Sequence, residues 1–61
     1  MNYDVNIYDT ESGEWLYHTH SDSIQEAFDE IARFWRYRAI TPIRWEILDG
    51  GALVADGSFT C

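Results

Sequence analysis

The sequence predicts a two-layer α+β domain in the order β-β-α-β-β, with one amphipathic helix lying across a four-stranded antiparallel sheet. Three observations carry this expectation. Residues 2–9 alternate strictly, which is the pattern of a strand with one buried face. Ile24, Ala27, Phe28, Ile31 and Trp35 recur at helical spacing and make one continuous apolar stripe. Asp49-Gly50-Gly51 separates two further strand-like runs as a tight hairpin turn. One apolar helix stripe needs one apolar sheet face, so two layers suffice, and the expected strand order is 2-1-3-4.

In the first strand Tyr3, Val5 and Ile7 share one face, and Asp4, Asn6 and Tyr8 share the other. Thr10-Glu11-Ser12-Gly13 supplies a turn, with Gly13 suited to a left-handed backbone, and residues 14–20 return as the second strand. Two registers compete. A three-residue loop with Gly13 at a bulge pairs Ile7 with Tyr17 and sends Trp15, Tyr17 and Thr19 to the core. It is the preferred solution, because glycine at the third loop position is the commoner arrangement. A four-residue loop pairs Ile7 with Leu16 and turns Trp15 and Tyr17 outward beside Tyr8, which would display an aromatic patch.

Ser23 and Glu26 form an S-x-x-E capping box at the start of the helix. Gln25, Glu26, Asp29, Glu30, Arg33 and Arg36 occupy its polar side, acids before arginines as the helix dipole favours, with Asp29 and Arg33 as an i,i+4 pair. The helix is expected to end near Tyr37. After Pro42 a third strand places Ile43, Trp45 and Ile47 against the core, alternating with Arg44, Glu46 and Leu48. The fourth runs from Ala52 to about Thr60, with Leu53, Ala55 and Phe59 inward and Gly57 as a candidate bulge. Nothing remains to cover the second sheet face, which is left with Asp4, Asn6, Tyr8, Arg44 and Glu46.

A single domain of 61 residues is small enough to need a dense core or a staple. Cys61, the only cysteine, is the last residue, so no internal disulfide is available and a reducing compartment is expected. Three Trp, four Tyr and three Phe supply the core instead. Homodimerisation is the other route to stability and stays open. The sequence shows no leader with a basic start and apolar centre, and no apolar run long enough to span a bilayer. It reads as a complete, soluble, cytoplasmic chain.

Net charge is −7, with no lysine, and all four basic residues are arginines between positions 33 and 44. Such a surface repels nucleic acid and phospholipid and attracts basic surfaces, so neither direct nucleic-acid binding nor membrane association is expected. His18-x-His20, extended by Asp22, could hold zinc or another metal, but a site needs three or four ligands and no cysteine is near to help; the plain reading is polar surface, and no metal or cofactor is expected. No serine has a nucleophile elbow around it, and the only glycine pair is a hairpin turn, so no catalytic residue is assigned. Binding is the expected activity. The candidate partner-binding residues are Asp22, Glu26, Asp29 and Glu30, whose regular carboxylates can imitate a phosphate ladder, together with Arg44, Tyr8 and Trp15 as anchors. The plain alternative for the acids is an ordinary solvated helix face.

Ser23-Ile24-Gln25-Glu26-Ala27-Phe28 to Trp35, followed by Ile43-Arg44-Trp45-Glu46-Ile47, resembles the strand–helix–strand core of the small phage-encoded inhibitor of bacterial RNA polymerase, over about half the chain. That resemblance implies an acidic inhibitor in which Glu26, Asp29, Glu30 and Arg44 touch the target. Asp22-Ser23-Ile24 is similar to the Glu-Ser-Ile element of phage uracil-DNA glycosylase inhibitors, which are DNA mimics; here aspartate replaces glutamate and the tripeptide begins a helix. The early hairpin followed by Ser-x-x-Glu-Ala is similar to the N-terminal domain of HicB-type antitoxins, without the glycine signature expected between them. Together they imply a non-enzymatic phage or mobile-element inhibitor, working in the host cytoplasm on a host protein with a basic, nucleic-acid-binding groove. The competing expectation is an adaptor or small subunit that binds through an exposed aromatic sheet face.

Overall fold

The computed structural model describes residues 2–60; the terminal thiol of Cys61 lies outside them. Its elements are β1 (Tyr3–Asp9), β2 (Trp15–Ser21), α1 (Ile24–Tyr37), β3 (Ile43–Asp49) and β4 (Ala52–Phe59). All neighbouring strands are antiparallel and the sheet order is β2-β1-β3-β4, as expected. Helix α1 lies on one face. Val5, Ile7, Ile43 and Ile47 from the two central strands meet Ala27, Ile31 and Phe34 from the helix in a fully apolar core. The strict alternation in β1 and β3 explains why these four aliphatic residues come together, because the pleat sends every second side chain to the same face.

The helix begins as its sequence requires. Ser23 has an extended backbone, and its hydroxyl accepts the Glu26 N–H at 3.2 Å. The Glu26 carboxylate reaches back to the N–H of Asp22 at 3.3 Å, one residue earlier than in the usual reciprocal box. At the other end Phe34 C=O accepts from both Arg38 and Ala39 N–H at 2.9 Å, and the helical stretch closes at Tyr37. Arg33 pairs with Glu30 at 3.5 Å rather than with Asp29. Arg38 lies over the rings of Tyr17 and Phe34, with its guanidinium carbon 5.1 and 5.5 Å from their centroids. The arginines that cluster in sequence therefore go to separate places.

The first hairpin contains both competing registers. Asp9 N–H donates to Glu14 C=O and Gly13 N–H to Asp9 C=O, each at 2.8 Å, enclosing a loop of residues 10–13 in which Gly13 has φ 75°. Tyr8 then pairs with Trp15, the next pair is Ile7 with Tyr17, and Leu16 is the extra residue of a β-bulge. The longer loop sets Trp15 outward, 59% exposed, and the bulge restores Tyr17 to the core side, where it stacks on Phe34. The expectation that Trp15 points inward is thus corrected.

The second hairpin uses the same device. Gly50 and Gly51 both have positive φ, joining the pair Asp49–Ala52. Leu48 pairs with Leu53 and Ile47 with Ala55, so Val54 is the extra residue. Leu53 consequently faces away from the helix, 54% exposed, which corrects its inward assignment. β2 and β4 are the two sheet edges, and a bulge in each interrupts the flat ladder that another chain could pair with.

Gly57 is not a bulge. It stands opposite Trp45, whose indole lies over it, and a Cβ there would come within 2.6 Å of Trp45 Cζ2. The missing side chain seats the indole, which meets Phe28 edge-on at 5.5 Å. Beyond it Trp35 stacks on Phe59 at 5.5 Å. The buried Trp45 N–H finds no hydrogen-bond partner among the described residues, an unfavourable term that the aromatic packing offsets. Gly57→Ala is expected to cost roughly 1–3 kcal/mol by overpacking. Urea unfolding measures it, and an unchanged midpoint would mean that the indole does not sit there.

Candidate functional site

The sheet face away from α1 is covered by no element among the described residues. β1 presents Asp4, Asn6 and Tyr8 to it, and β3 presents Arg44, Glu46 and Leu48, paired Asp4–Leu48, Asn6–Glu46 and Tyr8–Arg44. β2 adds Trp15, His18 and His20, and β4 adds Leu53, Asp56 and Ser58. No helix of the described residues is long and apolar enough to cross a membrane.

A hydrogen-bonded chain runs across the middle of this face. The Tyr8 hydroxyl donates to Glu46 Oε1 at 3.0 Å, and the Asn6 amide nitrogen donates to the same oxygen at 3.5 Å. That orients the Asn6 amide, because a carboxylate can only accept, and leaves its oxygen facing His18. His18 Nδ1 is 2.7 Å from that oxygen, so the ring nitrogen carries the proton and donates. Next along β2, His20 Nδ1 lies 2.6 Å from Asp4 Oδ1. The two imidazoles meet edge to face at 4.8 Å, and Trp15 tilts against His18 at 5.8 Å. Arg44 and Asp56 approach only to 3.9 Å and are well exposed, so their pairing contributes little.

Partial burial raises the Tyr8 phenol above its ordinary 10.0; the hydrogen bond and negative charge of Glu46 act in the same direction, and Arg44 opposes them. The folded state therefore holds this proton more tightly than the unfolded chain does. Its contribution to stability is complete below the unfolded value near 10.0 and is lost as pH rises through the higher folded value. Tyr8→Phe removes the ionisable group and is expected to flatten that part of the alkaline loss. Thermal melts across the alkaline range test this, and identical slopes for both proteins would contradict it.

The predicted binding residues do not form one surface. Tyr8, Trp15 and Arg44 come together on the open sheet face, where Tyr8, Arg44 and Glu46 also border a depression beside Gly13. Asp22, Glu26, Asp29 and Glu30 belong to the helix start and its solvent side. There Glu26 is engaged in the cap and Glu30 is paired with Arg33, leaving Asp22 and Asp29 as exposed carboxylates without a side-chain role in the fold. Sequence reasoning missed the joining of Asp4 to the two histidines. The signal was present: any register pairing Ile7 with Tyr17 also pairs Asn6 with His18 and Asp4 with His20. Comparison with protein-family models, with curated proteins and with solved structures finds no match for this chain.

Proposed function

We propose that this chain is a non-enzymatic binding protein that docks a partner protein through the open face of its sheet. The observation that carries this reading is Trp15. A tryptophan 59% exposed, turned outward by the four-residue loop and set beside Tyr8, is the residue type that dominates binding energies when a partner buries it. Tyr8 is already held by Glu46, so less rotamer freedom is lost when it is covered. Asp4, Glu46 and Asp56 share this face with the anchors and, with the net charge of −7, favour a partner with a basic surface. A standard interface takes roughly 800 Å² from each partner. The chain exposes 4111 Å² in all, so the sheet face would be used broadly rather than at one loop.

A second reading follows from the exposed carboxylates of Asp22 and Asp29 beside Glu26. In it the helix imitates nucleic acid in the basic groove of a host nucleic-acid-processing protein, as the phage-inhibitor resemblance implies. Arg33 and Arg36 on the same helix dilute that stripe, which favours the sheet face. The two differ in salt response. Captured from a bacterial lysate, a partner anchored by Trp15 and Tyr8 is expected to stay bound when salt is raised, and a partner held by the helix acids is released. Release by salt, with binding unaffected by Trp15→Ala, would contradict the sheet-face reading.

A further inference from the structure

We propose that Asp4, His18 and His20 form a binding site for a zinc-type divalent cation on the open face of the sheet. Adjacent strands bring the three groups together. His18 and His20 are two residues apart on β2, so the pleat sends both imidazoles to one side. Asp4 stands directly opposite His20 on β1. One ligand atom from each of the three lies within 4.8 Å of the other two. Ligands around a tetrahedral zinc, with bonds of roughly 2.0–2.1 Å, are about 3.3 Å apart. Small rotations of these side chains close that gap without moving the backbone, and both histidines are exposed enough to make them.

The surroundings already prepare the His18 imidazole as a ligand. The Asn6 amide oxygen, its amide oriented by Glu46, accepts a hydrogen bond from His18 Nδ1–H and leaves the Nε2 lone pair free. A metal-binding histidine is commonly held this way, with its second nitrogen donating to a fixed oxygen. Coordination replaces the present Asp4–His20 hydrogen bond by bonds from both groups to the cation, and the carboxylate offsets part of its charge. Two imidazoles and one carboxylate suit zinc and its neighbours nickel and copper rather than calcium or magnesium. Three protein ligands leave a further position for water. This site does not depend on the docking role proposed above, although both lie on one face.

The test is isothermal titration of the full chain, prepared without a histidine tag, with zinc chloride. One saturable zinc per chain is expected, together with a rise in melting temperature on adding zinc. His18→Ala, His20→Ala and Asp4→Asn are each expected to weaken binding about tenfold or more, with unchanged far-UV circular dichroism. Asp22→Asn and Cys61→Ser are expected to leave the affinity within about twofold, because Asp4, His18 and His20 supply all the protein ligands of the proposed site. Absence of saturable binding would overturn the proposal. So would affinity in the His18→Ala and His20→Ala proteins equal to that of the unaltered chain, or zinc binding that is lost with Asp22→Asn or Cys61→Ser.

Discussion

Ile47→Ala is expected to cost roughly 2–5 kcal/mol, whereas Leu53→Ala should stay within about 0.5 kcal/mol of the unaltered protein. Both residues are large aliphatics on neighbouring strands, and simple alternation sends both inward. Ile47 is wholly buried between the central strands and α1, so truncation leaves a cavity in the middle of the core. Leu53 lies beyond the bulge at Val54 and faces away from the helix. A domain of 61 residues has a total stability of only about 3–9 kcal/mol. Ile47→Ala therefore removes much of it, and the melting temperature should drop by roughly 10–30 °C. Thermal unfolding followed by circular dichroism distinguishes the two variants. A Leu53→Ala loss as large as that of Ile47→Ala would mean that the second bulge is absent and that β4 runs in the straight register.

The second large effect concerns binding. Tyr8→Ala with Trp15→Ala is expected to weaken partner binding about thirtyfold or more, the loss that follows when buried aromatic anchors are truncated. The fold should survive. Trp15 contributes nothing to the apolar core, and Tyr8 loses one hydrogen bond to Glu46, worth roughly 0.5–1.5 kcal/mol. Because the anchors are neighbours on paired strands, their effects are coupled, and the double variant is more informative than the sum of the single ones. Retained affinity in a folded double variant would place the working surface elsewhere.

Much of the fold is legible from local pattern. The alternation of β1 and β3, the S-x-x-E start of α1 and the Asp-Gly-Gly turn each fix an element through short-range physics, and the single apolar stripe fixes the layering. What was not legible is the pair of bulges. Each depends on a balance between loop geometry and core burial: the loop of residues 10–13 sets Trp15 outward, while burial of Tyr17 against Phe34 demands the opposite register, and an extra residue at Leu16 satisfies both. Sequence offers the two registers as alternatives, and only tertiary packing shows that they coexist. Gly57 reads as a bulge for a similar reason. Its need for a bare backbone comes from an indole on the neighbouring strand, which periodicity along β4 does not display.

The candidate site is legible in its residue types and not in its grouping. Tyr8 and Trp15 read as candidate anchors, yet the outward placement of Trp15 depends on the length of the loop of residues 10–13. The acids of α1 were identified as a stripe, yet the cap takes Glu26 and an ion pair takes Glu30. His18, His20 and Asp4 join across the hairpin, so a search along the chain finds Asp22 as the third group and misses the cross-strand one.

The most direct test of the sheet-face account measures the affinity of one purified partner for three proteins. These are the unaltered chain, the Tyr8→Ala, Trp15→Ala variant, and a helix variant carrying Glu26→Gln, Asp29→Asn and Glu30→Gln, in which glutamine preserves the cap. The account expects the sheet variant to bind about thirtyfold more weakly or worse, and the helix variant to stay within about threefold. Loss of binding in the helix variant, with normal affinity in a folded sheet variant, would contradict it and assign the interface to the acidic helix.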